Sequence, residues 1–493
     1  MIPTPRRAGA RLALAAGACL LLSQLAGAAG SAVVPKAPPG IGPQAEKLVS
    51  PSAQRAYETA RDKLVQVRTL LKDQDSQASV GSGFLVTAEG LIITNYHVVS
   101  QIALQPQRYR LTYTRAGGSS GGLQLLAFDA VHDLALARML PPDAGGSPGA
   151  FAAPPTGARS ATQASAQAAD ATAAPAGANA EAAAPAYATL SFRPRSQALA
   201  NGERIYSLGN PLDIGFAVLE GNYNGLVTRS FYPQIFFAGA LSPGMSGGPA
   251  LDGQGHVIGV NVATRLDGQE VSFLVPAQFA EELLARGRGA APITGDSYPE
   301  LTRQLLSHQA TLVERFLALP WRSAGHARYR SPVPQEDFMR CWGASSRAES
   351  KGMEFQSSEC HMDSALFISD LLRTGSLTVR HETFDGSRLG TLRFAQAYTN
   401  RFRMKHVGGG PSTSSPECRE RFVDLDGLPA RAVVCMSAYR KLKGLYDLSV
   451  LVATVDAPQA GAQGRLDARG VDFDNALKLV DHYLRGYGWN GSH

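Results

Sequence analysis

Short apolar runs punctuated by Gly, Asp and Asn between residues 56 and 290 predict an all-β barrel or sandwich. Helical periodicities that open and close residues 297–493 predict an α+β domain after it. The runs Gly83-Phe84-Leu85-Val86, Leu91-Ile92-Ile93 and His256-Val257-Ile258-Gly259-Val260 are too short for helices and read as strands. In the second region Leu301, Leu305, Leu312 and Phe316 share a helical face behind the start signals Ser297 and Pro299, and Phe473, Leu477, Val480 and Leu484 share another. A chain of 493 residues is also too long for one ordinary core.

Taken in order, the chain opens with Arg6, Arg7 and Arg11, the apolar run Leu12 to Leu25 and Ala26-Gly27-Ala28. This is the pattern of a Sec-type secretory signal peptide over residues 1–28, and the run of 14 residues is short of the ~20 that span a membrane. A periplasmic or secreted protein without a membrane span after cleavage is expected. Residues 29–55, rich in Pro, Ala and Gly, read as a flexible leader, and Lys63 to Leu70 alternates as a strand. Residues 141–186 are almost wholly Ala, Pro, Gly, Ser and Thr, a low-complexity insert expected to be disordered. From Val275 a strand passes into a helix through Ala280-Glu281-Glu282-Leu283-Leu284, and the loop Arg286 to Thr294 marks a domain boundary. Residues 56–290 and 297–493 are therefore the two expected domains, with strands such as Ser376 to Arg380 and Leu448 to Val452 inside the second.

Removing residues 1–28 takes away three arginines and no acid, lowering the formal charge from +6 to +3. So mild a balance argues against a nucleic-acid partner. Cys19 leaves with the leader, and Cys341, Cys360, Cys418 and Cys435 remain. An even count in an exported chain reads as disulfides, and none of the spacings is the short C-x-x-C of a zinc site. Four cysteines allow three connectivities, and the two short loops, Cys341 with Cys360 and Cys418 with Cys435, are the expected pairs.

Hydrolysis of a peptide bond at neutral pH needs an activated nucleophile, a base, a group that orients the base, and donors for the developing oxyanion. Ser246 is the nucleophile candidate, in Ser242-Pro243-Gly244-Met245-Ser246-Gly247-Gly248-Pro249, where the N–H groups of Gly244 and Ser246 can converge on one point. His97, in Thr94-Asn95-Tyr96-His97-Val98-Val99, follows a strand and is the candidate base. Asp133, at the entry of the apolar run Leu134 to Ala137, is the candidate orienting acid, because an acid beside a core strand is costly unless partnered. Asp129, four residues earlier, is its rival, and His132 is read as a surface neighbour.

The motifs Gly81-Ser82-Gly83-Phe84, Thr94 to Val99, Asp133 to Leu136, Tyr206-Ser207-Leu208-Gly209-Asn210-Pro211 and Gly244 to Pro249, in that order, resemble those of the trypsin-like proteases of the bacterial HtrA/Deg type. The resemblance runs from about residue 56 to 284, under half of the chain. It implies the chymotrypsin-like fold, two six-stranded barrels with the site between them, and places the low-complexity insert where the chain passes from one barrel to the other. It also implies the roles His97 base, Asp133 orienting acid, Ser246 nucleophile, and Gly244 with Ser246 as oxyanion donors. In such proteases the residue six before the nucleophile floors the primary pocket, here Ala240, and Val262 and Ala263 would wall it, which implies small or medium aliphatic side chains before the cut. Two departures stand out. Met245 occupies a position where many relatives carry Asn or Asp, and no PDZ-like segment follows residue 290.

The reading is an exported serine endopeptidase acting on polypeptides, unfolded proteins among them, without metal or cofactor. Its rival is a catalytically silent, chaperone-like or binding protein of the cell envelope. A third reading gives residues 297–493 the binding role, with the barrels as a processing device.

Overall fold

In a computed structural model of the protein, residues 50–141, 186–264, 271–323, 326–347, 352–363, 365–402 and 409–490 are described. The signal-like segment, residues 29–49 of the leader, and residues 142–185 of the insert lie outside them. Helix α1 (Pro51–Ala60) starts five residues before the expected onset of order. Ser50 caps it by accepting from the Ala53 N–H at 3.1 Å, and Pro51 occupies its first turn, where no N–H is needed.

Six antiparallel strands then close on themselves: β1 (Leu64–Leu71), β2 (Gln77–Leu85), β3 (Leu91–Thr94), β4 (Tyr109–Arg115), β5 (Ser120–Asp129) and β6 (Leu134–Met139), in the order β1-β2-β3-β6-β5-β4. A second barrel follows from β7 (Arg204–Gly209), β8 (Ala217–Leu226), β9 (Ile235–Ala238), β10 (Pro249–Leu251), β11 (Val257–Thr264) and β12 (Val271–Pro276), closed as β10-β11-β12-β9-β8-β7. Closure leaves no free edges. Helix α2 (Tyr96–Leu104) follows β3, and α3 (Ala277–Gly287) leaves the second barrel, packing Ala280 and Leu283 into a core that also holds Phe84, Leu136, Leu208 and Val260 from both barrels.

Beyond α4 (Tyr298–Ala318) two short pairs form, β13 (Arg322–Ser323) with β15 (Pro332–Val333), and β14 (Tyr329–Arg330) with β25 (Gly488–Trp489) at the far end of the chain. The main element is a seven-stranded antiparallel sheet of β16 (Met339–Ser345), β17 (Glu354–Met362), β20 (Ser376–Asp385), β21 (Glu417–Leu425), β22 (Leu428–Ala438), β23 (Tyr446–Thr454) and β24 (Ala460–Val471), in the order β16-β17-β20-β24-β23-β22-β21. A hairpin, β18 (Leu366–Ser369) with β19 (Leu372–Thr374), leaves the sheet before β20, α5 (Thr391–Arg401) follows β20, and α6 (Phe473–Arg485) follows β24. Disulfides join Cys341 to Cys360 across β16–β17, and Cys418 to Cys435 across β21–β22.

Of the face that the apolar spacing suggests for α6, Val480 and Leu484 pack partly buried against the core, and the first half turns outward. Ala476, Leu479 and Tyr483 are buried against the sheet, whereas Phe473 and Leu477 are about half exposed and Phe473 packs edge-on against Tyr446. Ala and Tyr give a weak periodic signal, and Tyr483 is drawn inward by a hydrogen bond with Tyr487 at 2.8 Å.

Helix α4 joins the two halves of the molecule. Its first turns place Leu301 and Leu305 in the core of the first barrel with Val67, Leu125 and Tyr96, while Leu312, Val313 and Phe316 enter the core beneath the seven-stranded sheet with Val450, Leu466 and Leu479. The preceding loop is tied down as well: the Ile293 N–H donates to the Leu125 carbonyl at 2.8 Å, and the Ser297 N–H to that of Ala103 at 2.9 Å. Residues 49–493 accordingly form one compact unit.

That shared core makes a prediction. Leu305→Ala should cost about 2–5 kcal/mol and lower one common transition. Tryptophan fluorescence, which arises only from Trp321, Trp342 and Trp489, reports the C-terminal half, and hydrogen exchange in peptides from β1–β6 reports the barrel. The two should be lost together. Separate transitions, with only one shifted by the substitution, would contradict the shared core.

Candidate active site

His97 is the second residue of α2, delivered by the end of β3. Asn95 occupies the helix cap, and its side-chain amide donates instead to the Asp133 carbonyl at 2.8 Å, tying the helix start to the turn between β5 and β6. Asp133 ends that turn with φ of +56°, a left-handed conformation that Asp tolerates better than most residues. Turned this way, its carboxylate meets His97 twice. Oδ1 accepts from the His97 backbone N–H at 2.8 Å, at the positive end of α2, and Oδ2 lies 2.6 Å from Nδ1. A carboxylate only accepts, so Nδ1 carries the ring proton and Nε2 presents its lone pair. The imidazole is 28% exposed and Asp133 19%. Burial of the ring works against its protonation, but the charge and hydrogen bond of Asp133 outweigh it. Arg373 opposes and Asp370 adds, leaving the His97 pKa above its ordinary value.

Asp129 serves a different histidine. Its oxygens accept from the N–H groups of Val131 and His132, from His132 Nδ1 at 2.9 Å and from Arg286 at 2.9 Å. Burial pushes its pKa up, yet these donors overcome that and hold it at about 2. Nor is His132 a surface neighbour: its side chain is 16% exposed, and its ring stacks on Phe279 at 3.7 Å and meets Tyr232 edge-on at 4.8 Å. Asp129 and His132 therefore brace the turn that carries Asp133.

Gln304 of α4 braces the same turn from the other side. Its Oε1 accepts from the Ala130 N–H at 2.8 Å, and its Nε2 donates to the Phe128 carbonyl at 2.9 Å, like a short added strand. Sequence reading gave no hint of this, because an interior helical glutamine looks the same whether or not a strand end faces it.

Ser246 sits in the loop between β9 and β10 and is partly buried. Gly244 takes φ of +93°, and a Cβ there would lie 2.4 Å from the Asn210 carbonyl oxygen. At Gly247 (φ +84°) a Cβ would lie 2.2 Å from that of Ser82. Both positions exclude a side chain. Among the described residues neither the Gly244 nor the Ser246 N–H donates to a protein acceptor, as an oxyanion site requires. The Ser246 hydroxyl donates to the Val262 carbonyl at 3.4 Å, and no hydrogen bond joins it to His97 in this rotamer. Met245 is 3% exposed in the core of the second barrel, with Ile205, Phe237 and Leu274, so this position is an apolar anchor.

A cavity of about 320 Å³ adjoins the site, with His97, Asp133, Tyr232 and Val262 on its barrel side and Phe367 and Arg373 of the β18–β19 hairpin opposite. Of the expected pocket residues, Val262 lines this cavity, Ala240 is exposed in the nucleophile loop, and the Ala263 side chain lies outside the description. Tyr232, in the loop between β8 and β9, and Phe367 and Arg373, on a hairpin about 270 residues from His97 along the chain, carry no local signal that marks them as site residues.

The sequence profile of the family described as trypsin-like peptidase domain matches residues 81–260, a span that contains His97, Asp133 and Ser246. A Synechocystis protein named as serine protease HhoB is 35% identical over 127 residues, 22% of this chain and 30% of that protein. A second one from the same organism, named as serine protease HhoA, is 28% identical over 226 residues, 44% of this chain and 45% of that protein. The chain thus spans less than half the length of these two relatives. A solved serine endoprotease from Yersinia pestis is 17% identical at a TM-score of 0.34, covering 48% of this chain and 67% of that one. Residues 81–260 thus match the trypsin-like peptidase domain, and over part of its length the chain is similar to HtrA/Deg-type proteases.

The contrast between the two aspartates is testable by histidine NMR and thermal unfolding. Asp133→Asn removes the charge that raises the His97 pKa and should lower it, whereas Asp129→Asn should leave it nearly in place. Asp129→Asn should instead cost about 1–3 kcal/mol of stability at pH 7. Because the Asp129 pKa is depressed in the fold, that loss should shrink as pH falls from its ordinary value of 3.8 towards about 2. An unmoved His97 titration in Asp133→Asn would break the assignment.

Proposed function

We propose that this protein is an exported serine endopeptidase that cleaves polypeptides through an acyl-enzyme, with Ser246, His97 and Asp133 as its triad. The observation that carries the reading is the double engagement of His97 by Asp133, which keeps the ring proton on Nδ1 and leaves Nε2 as the base. In the reaction Ser246 Oγ attacks the scissile carbonyl while Nε2 takes its proton. Asp133 stabilises the imidazolium, and the N–H groups of Gly244 and Ser246 receive the oxyanion. Nε2 then protonates the leaving amine, and water releases the acyl group by the same steps. The serine must first turn from the Val262 carbonyl to His97. Such loose contacts in a substrate-free site tighten on binding. That same rotamer is the specific observation in favour of the alternative, a silent chaperone-like protein of the envelope.

A primary pocket for small or medium aliphatic side chains is part of this reading, and Val262 on the cavity wall supports it. Two disulfides support export, since such bonds persist outside the reducing cytosol. No helix among the described residues is long and apolar enough to cross a membrane. The disulfides and the N-terminal pattern support a periplasmic or extracellular location, reached through cleavage of residues 1–28.

Casein hydrolysis tests the proposal. Ser246→Ala and His97→Ala should each lower the rate by about 10⁴-fold or more while the protein stays folded. The base must be neutral to act, so kcat/KM for a peptide substrate should fall on the acid side with a midpoint above the ordinary imidazole value of 6.5. Hydrolysis that survives in Ser246→Ala would overturn the reading.

A further inference from the structure

The hairpin β18–β19 is held at both ends against the barrel. Ile368 is 1% exposed in the first-barrel core and its carbonyl accepts from Tyr96 Oη at 3.2 Å. At the other end the Gly375 carbonyl accepts from His308 Nε2 at 3.2 Å, and His308 Nδ1 accepts from Tyr232 Oη at 2.9 Å. Between these anchors Phe367 and Arg373 stand opposite each other across the two strands. The Phe367 ring meets the His97 imidazole edge-on with 6.0 Å between centroids, and the Arg373 guanidinium lies over that ring at 5.3 Å. Both line the cavity beside His97.

Arg373 makes no ion pair among the described residues, although it is close enough to bear on the charge of His97. The hairpin's own acid, Asp370, is exposed and takes a hydrogen bond from Gln101 at 3.4 Å. Asp133 and Asp129 are committed to their histidines. A guanidinium stacked on an aromatic face keeps its N–H edge available, and that edge matches a carboxylate in two-point geometry. A carboxylate entering the cavity gives up part of its hydration and gains from a cation that answers it, and Arg373, itself exposed beside the cavity, is the cation in place.

We propose that the hairpin forms one wall of the substrate cleft and that Arg373 selects polypeptides bearing an Asp or Glu side chain within two residues of the scissile bond. This rests on the proteolytic reading of the barrels, and it makes the C-terminal region part of substrate recognition.

The test uses the full chain carrying Ser246→Ala, so that binding is read without turnover. Fluorescent peptides of one fixed casein sequence differ only in Glu, Gln or Lys, placed at each position in turn, and the cut made by the active protein gives their register. Anisotropy should show Glu bound about tenfold or more tighter than Gln at one of these positions. Adding Arg373→Gln should bring that ratio to near one, and Arg373→Glu should favour Lys. In the active protein, Arg373→Gln should also move the acid limb of kcat/KM upward, because a cation facing His97 is gone while Asp133 and Asp370 remain. A ratio near one in the parent, or an unchanged ratio in Arg373→Gln, would overturn the proposal. Failure of the casein assay alone would overturn the proteolytic reading, and a Glu preference that depends on Arg373 would survive it as a binding property.

Discussion

Ser82 fastens the two barrels together at the one place where the candidate chemistry needs them aligned. It lies on β2 of the first barrel and is fully buried. Its hydroxyl donates to the Gly244 carbonyl at 2.7 Å and accepts from the Asn210 N–H at 2.8 Å, both from the second barrel. Its backbone N–H donates to the Ser246 carbonyl at 2.7 Å, and its carbonyl accepts from Thr94 Oγ1 at 2.7 Å, one residue before the cap of α2. One residue therefore touches Gly244, Ser246 and the strand that delivers His97. Leaving any of these buried partners unpaired would cost about 1–3 kcal/mol. The flanking glycine is part of the same constraint, since a Cβ at Gly81 would stand 3.0 Å from the Ser246 carbonyl oxygen.

The motifs legible in the sequence are those whose meaning is local. Gly81-Ser82-Gly83, Asn95-Tyr96-His97 and Gly244-Met245-Ser246-Gly247 each encode a backbone path as well as a side chain, so their strings stand out without knowledge of neighbours. The choice between Asp133 and Asp129 was not local. Both are acids beside an apolar strand, and the left-handed turn at Asp133, together with the donors that surround Asp129, separates them. The face of α4 was read correctly as Leu301, Leu305, Leu312 and Phe316, yet no periodicity tells that the first pair enters one core and the second another. On α6 the stripe through Phe473 and Leu477 misleads, because Ala476 and Tyr483 carry the burial.

Residues 297–493 read from sequence as an appended domain. In the fold they pack against the turn that carries Asp133, with Gln304 pairing to the strand end before it and the β18–β19 hairpin facing His97. These are contacts between residues far apart in the chain, which form only once both halves have folded. The arrangement of His97 and Asp133 is thereby coupled to the integrity of the C-terminal core.

The most direct measurement of this account is the rate at which a fluorophosphonate modifies the protein, with the adduct mapped by peptide mass, in the native chain and in Ser82→Ala. The account predicts a single adduct on Ser246, formed at least about tenfold more slowly in Ser82→Ala although both proteins remain folded. An adduct at another serine, or equal rates in the two proteins, would contradict it.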